Sequence, residues 1–159
     1  PKIKLTLDGD KKYPDFLGVN HYNGVDVIEI KTHLLPALVS DSSHDNFAFS
    51  SDLSKAIIQT TNYIDAVKER KFVNTDDEKL LVQETASENL YRPRGVIIIS
   101  SKQKLVKSQG RYDPQKIERD FTKLRNSLGD IEILTFDDIL DIAENYASKI
   151  ANRTESDPN

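Results

Sequence analysis

The succession of two side-chain periodicities constrains this chain most. Residues 3–7 alternate as a short strand, residues 15–19 form a second, and residues 25–32, rich in Val and Ile, a third. Asp8, Gly9 and Asp10 mark a turn, and residues 20–24 a hairpin loop. The period then changes to 3.6. Leu53, Ile57, Ile64 and Val67 form the apolar stripe of a helix running from a cap at Ser51 or Asp52 to about Arg70. A second helical segment is expected near 75–88, closed off by Pro93. Residues 95–100 have the apolar content of a buried strand. Asp113 and Pro114 start a helix with a good cap and Pro at its first position, and Gly129 ends it. Residues 131–134 make a final strand. Thr135 and Asp138 resemble a capping box opening a last helix to about Ala151. This order predicts an α/β chain with a central mixed sheet flanked by helices. Residues 34–51, with a Ser/Asp-rich stretch, are expected to form a long mobile loop of the kind that often carries function.

Composition narrows the function classes. With 159 residues the chain can bury one sizeable core, and the expectation is a single domain over residues 1–151 with a disordered polar tail at 152–159. Its 37% hydrophobic and 30% charged residues exclude a disordered or membrane-embedded chain. The longest apolar runs are strand-sized, so no bilayer span and no membrane partner is expected. The opening residues do not read as a signal peptide. Cysteine is absent, which excludes disulfides and thiolate metal sites and suits a cytoplasmic location. There is no Met and the chain opens at Pro1, as expected of a domain cut from a longer protein or of a processed chain. Charge is uneven. Residues 92–125 hold ten basic and three acidic side chains, a net +7, while the remainder carries −11. Such a division can hold a divalent cation in one place and phosphates in another, or it can be a solvated face.

The stretch with chemical content is Pro14-Asp15, thirteen intervening residues, then Glu29-Ile30-Lys31. Alternation puts Glu29, Lys31 and His33 on one face and Ile28 and Ile30 on the other. A strand this apolar is expected to be buried on both faces. Burying Glu and Lys there is costly unless they are paired or bind a metal. Two carboxylates a few ångströms apart can hold Mg²⁺ or Mn²⁺ through oxygen, and a nearby lysine can orient a water and offset developing negative charge. Asp26 lies three positions from Glu29 and so points to the opposite face. Asp15 faces Glu29 if it pairs opposite position 29 or 31, which requires an odd-length loop or a bulge. A two-residue Asn23-Gly24 turn would instead place Asp15 opposite Thr32. A three- or five-residue loop is therefore expected. In the following helix Gln59 and Tyr63, four apart, flank the apolar stripe and can present polar groups beside the sheet.

Pro14-Asp15 and Glu29-Ile30-Lys31 resemble the PD-(D/E)xK signature of restriction-endonuclease-like nucleases. Gln59-Thr60-Thr61-Asn62-Tyr63 resembles the QxxxY element of their RecB-like branch. Over residues 10–150 the pattern is similar to the C-terminal nuclease domain of the Shedu anti-phage defence family. The resemblance implies a restriction-endonuclease-like core with Asp15 and Glu29 as metal ligands and Lys31 as catalytic lysine. Gln59 and Tyr63 would be supporting or DNA-contacting residues. It also implies an Mg²⁺-dependent endonuclease on double-stranded DNA, homo-oligomers and a role in bacterial defence. His33 departs from that pattern, in a stretch where a proline is expected nearby.

Plainer readings stand beside these. Glu29 and Lys31 can be a salt-bridged pair on a half-exposed strand, and Gln59 and Tyr63 ordinary helix-flank residues. His21, His33 and His44 lack metal-ligand spacing, although His33 shares the Glu29 face and could touch substrate. Lys102, Lys104, Lys107 and Arg111 can follow a DNA backbone or line a solvated loop. The alternative function is a catalytically silent DNA-binding or oligomerisation module on the same fold.

Overall fold

The computed structural model describes residues 3–7, 9–20, 22–41, 46–84, 92–107 and 109–155. Asp8, His21, His44, residues 85–88 of the expected second helix and tail residues 156–159 lie outside these. Strand β1 (Leu5–Leu7) pairs antiparallel with β2 (Asp10–Lys12), a strand the sequence reading did not anticipate. Then come β3 (Phe16–Val19) and β4 (Val25–Ile30), followed by β5 (Leu38–Asp41) and β6 (Asn46–Phe49). Helices α1 (Ser51–Lys68) and α2 (Thr75–Glu84) precede β7 (Arg94–Ile98), and α3 (Pro114–Arg125), β8 (Ile131–Leu134) and α4 (Phe136–Glu155) complete the order.

The central sheet has the order β3-β4-β7-β8, with β3 antiparallel to β4 and the other two pairings parallel. It is the mixed sheet flanked by helices that the periodicities predict. Period-two alternation sends Val25, Val27, Ile97, Ile131 and Ile133 to one face, where all are buried. Helix α1 packs there against β4, β7 and β8 through Leu53, Ala56, Ile64 and Val67. At Gly95 the helix comes close: a Cβ built there would meet Thr60 Cγ2 at 2.5 Å. The opposite face is more open. Phe16 is exposed, as is Ile30 at 37%, which corrects the expectation that this strand is buried on both sides. Apolar content alone does not reveal that α1 covers only one of the two faces.

Residues 34–51 are not a long loop. They contain the β5–β6 hairpin, in which Leu38 pairs opposite Phe49. Leu38 and Phe47 point into the core, so burial of these side chains supplied the strand signal that the surrounding polar residues obscured. The hairpin delivers the chain to α1, where Ser50, not Ser51 or Asp52, is the cap: its Oγ accepts from the Leu53 N–H at 3.1 Å. Ser50→Ala should lower stability by about 1 kcal/mol, read from urea unfolding.

Asp113 caps α3 as expected, but the helix ends at Arg125, where the Asn126 N–H closes onto the Thr122 carbonyl. At α4 the capping box forms reciprocally: Thr135 N–H donates to Asp138 Oδ2 at 2.9 Å, and Asp138 N–H donates to Thr135 Oγ1 at 3.1 Å. Helix α4 continues to Glu155, past the expected end at Ala151, and Leu140, Ile142, Tyr146 and Ile150 along it are exposed. Among the described residues no helix is long and apolar enough to cross a membrane.

Candidate active site

The β3–β4 hairpin sets the first carboxylate. Phe16 pairs with Ile28 and Val19 with Val25, so the connection spans residues 20–24 and has the odd length that parity requires. Asn23 turns the chain with φ 58°, and its N–H donates to the Asn20 carbonyl. The tight Asn23-Gly24 turn does not form. Continuing the register places Asp15 opposite Glu29. Asn20 N–H donates to Gly24 O, so hydrogen-bonded pairs fall at even positions of β3. The pair 15/29 is then of the other kind, whose side chains lie closer together. Pro14 has no N–H for the next rung. The Ile30 N–H donates instead to the Asp15 carboxylate, whose Oδ2 accepts at 2.8 Å. Asp15 is thereby anchored on the peptide between Glu29 and Lys31.

Glu29 is 4% exposed, facing α1 beside Val25 and Val27. Its Oε1 accepts from Lys31 Nζ at 2.6 Å. Lys31 lies past the end of β4, and its N–H still bonds the Ile98 carbonyl of β7. Its ammonium also donates to Gln59 Oε1 at 3.3 Å. Gln59 Nε2 donates in turn to the Tyr63 hydroxyl at 3.1 Å, and that hydroxyl donates to the Tyr13 carbonyl at 3.0 Å. Each group uses a different donor or acceptor, so the chain is chemically directed from Lys31 to the backbone two residues before Asp15. The i, i+4 pair on α1 thus ties Lys31, just past β4, to the backbone of Tyr13, which leads through Asp15 into β3. Tyr63 is 3% exposed, which corrects its placement at the border of the stripe: its ring is core and only its hydroxyl is used. The Tyr13 carbonyl was missed from sequence, because a backbone acceptor carries no residue-type signal.

Glu29 Oε2 is buried and has no hydrogen-bond partner among the described residues. Leaving a carboxylate oxygen buried and unpaired is costly. A divalent cation would satisfy that oxygen, and Asp15 opposite Glu29 would offer a second carboxylate, so these two residues fit a cation such as Mg²⁺ or Mn²⁺. Among the described residues no group of three or more His, Cys, Asp or Glu side chains is arranged for a metal. A cation here would fill its remaining positions with water and phosphate oxygens, as Mg²⁺ commonly does. Asp26 is turned to the other face as parity requires, where Arg94 and Asn20 Nδ2 hold it. His33 makes an edge contact with Phe136, ring centroids 5.9 Å apart.

The basic segment is partly neutralised. Arg94 pairs with Asp26, Arg125 with Asp138, and Lys116 with Asp120, whose carboxyl is held below its usual value chiefly by that hydrogen bond. Of the four candidate DNA contacts, Lys102 is bound to Asp141 on α4 at 2.9 Å, and this hydrogen bond raises its pKa. Lys104, Lys107 and Arg111 are exposed and make no ion pair among the described residues. They follow β7 in the chain, and β7 ends beside its parallel neighbour β4, which leads into Lys31.

A family model described as Shedu protein SduA, C-terminal, matches residues 1–140. The chain belongs to that family. The match includes every element of the site, from Asp15 through Tyr63 to β7 and β8. It ends within α4, so the exposed part of that helix beyond residue 140 falls outside it. A search of curated proteins returned no match.

Proposed function

We propose that this domain is a metal-dependent endonuclease of anti-phage defence, with a PD-(D/E)xK site that hydrolyses phosphodiester bonds of double-stranded DNA in a cytoplasmic homo-oligomer. The observation that carries the reading is a buried Glu29 carboxylate, one oxygen unpartnered among the described residues and the other on Lys31, with Asp15 just before the neighbouring strand. Membership of the Shedu family supports the defence context.

Asp15 and Glu29 would hold Mg²⁺, which supplies positive charge to polarise the phosphodiester and acidify a water. The protein's part is position. Lys31, pinned by Gln59, directs an N–H toward the attacking water or the phosphate oxygen that gains charge. Attack forms one phosphorus–oxygen bond as the bond to the leaving oxygen breaks, and that oxygen takes up a proton. Lys104, Lys107 and Arg111 would neutralise backbone phosphates.

Supercoiled plasmid should be nicked or linearised with Mg²⁺ and left intact in EDTA. Cleavage that survives EDTA, or none with either Mg²⁺ or Mn²⁺, overturns the proposal. Mg²⁺ alone should also raise the melting temperature, by up to about 2.7 kcal/mol of stability at a hundredfold excess over Kd, and Glu29→Ala should abolish that shift. The alternative, a silent DNA-binding module, draws on the closed Lys31–Glu29 ion pair. A salt-dependent gel shift without cleavage distinguishes it.

A further inference from the structure

A cleft of about 690 Å³ lies between the β1–β2 ribbon and α1. Its walls carry Leu7 and the Asp10–Lys12 ion pair on one side and Lys55, Ile58 and Asn62 on the other, and they include Gln59 and Tyr63, of which Gln59 accepts from Lys31. The spacing 55, 58, 62 follows one stripe of α1. Ile58 is 63% exposed at the middle of that stripe, an apolar side chain facing solvent between polar ones. The cleft therefore combines an apolar side chain on each wall, amides that can both donate and accept, and the Lys55 ammonium facing the Asp10–Lys12 pair.

Each property selects against a simple ligand. A bare phosphate has no use for Leu7 and Ile58, and a hydrocarbon chain has none for Asn62, Gln59 and two lysines. A nucleotide matches all three: a flat ring between Leu7 and Ile58, a polar base edge for the amides, and a phosphate for Lys55. The volume lies in the range of about 300–1,000 Å³ typical of small-molecule sites. Continuity decides the source. Gln59 and Tyr63 both line the cleft and belong to the chain that positions Lys31.

We propose that this cleft receives an unpaired nucleotide of the DNA strand whose phosphodiester lies at Glu29 and Lys31. The inference rests on the nuclease reading and deepens it: the preferred substrate would be duplex DNA with locally unpaired bases. A base outside the stack has already met the cost of extrusion, so it enters the cleft more readily than a paired one.

The test is an anisotropy titration of two labelled duplexes, one fully paired and one with a short central bubble, in Ca²⁺ so that cleavage does not intervene. The wild-type chain should bind the bubble at least tenfold more tightly. Ile58→Glu and Asn62→Ala should each reduce that preference toward one. Both positions are exposed, and circular dichroism melts will show that the variants fold. Equal affinity of the wild-type chain for the two duplexes, or a preference unchanged in both variants, overturns the proposal. Plasmid nicking is scored separately. Nicking without bubble preference removes the cleft and leaves the nuclease; bubble preference without nicking keeps the cleft and removes the nuclease.

Discussion

Glu29→Ala should lower Mg²⁺-dependent plasmid nicking by about a hundredfold or more, and Lys31→Ala should do the same. Glu29 supplies one of two carboxylates, and its loss leaves Asp15 alone, held on the Ile30 N–H. Lys31 supplies the ammonium between Glu29 and Gln59. Because the two act as one unit, the double variant should be scarcely worse than either single one. The fold should survive. Lys31 is 27% exposed and can turn its ammonium to water when Glu29 is removed. Replacing Lys31 leaves Glu29 buried without its cation, so that variant should be the less stable of the two. The measurement is a gel time course of supercoiled, nicked and linear plasmid, with a thermal melt of each variant. Undiminished cleavage by either single variant sinks the site.

The largest structural effect is expected at Gly95→Ala. The added Cβ would meet Thr60 Cγ2 at 2.5 Å, Ile131 Cγ1 at 3.1 Å and Ile64 Cδ1 at 3.2 Å, among side chains that are all buried. Overpacking of this kind costs about 1–3 kcal/mol, or a fall in melting temperature of roughly 2–4 °C per kcal/mol. The first collision is with a methyl group, so Thr60→Ser should restore part of the loss. A double-mutant cycle in urea measures that coupling. Helix α1 must also move outward, carrying Gln59 away from Lys31, so nicking should fall as well. A Gly95→Ala variant as stable as the original would show that α1 does not approach β7 this closely.

Much of the local architecture was legible in the sequence because its causes are local. Side-chain alternation is a property of any strand, so the separation of Asp26 from Glu29 and the odd-length hairpin followed from counting residues. The caps at Asp113 and Thr135 are contacts within a few residues, and residue type announces them. The β5–β6 hairpin and β2 were not legible, since their strands are three or four residues long and take their order from pairing and burial.

The amino-acid order alone determined the alternation of strands and helices, which face Glu29 occupies and which carboxylate can stand across from it. Tertiary structure decided the rest. The bond from Lys31 to Gln59 crosses 28 residues of sequence, and the bond from Tyr63 to Tyr13 crosses 50. Neither exists until α1 has docked on the sheet at Gly95. Docking also buried Tyr63, left Glu29 Oε2 without a partner among the described residues and formed one wall of the cleft along Lys55, Ile58 and Asn62. Those outcomes depend on which surfaces lose water together, and periodicity along a chain does not record that.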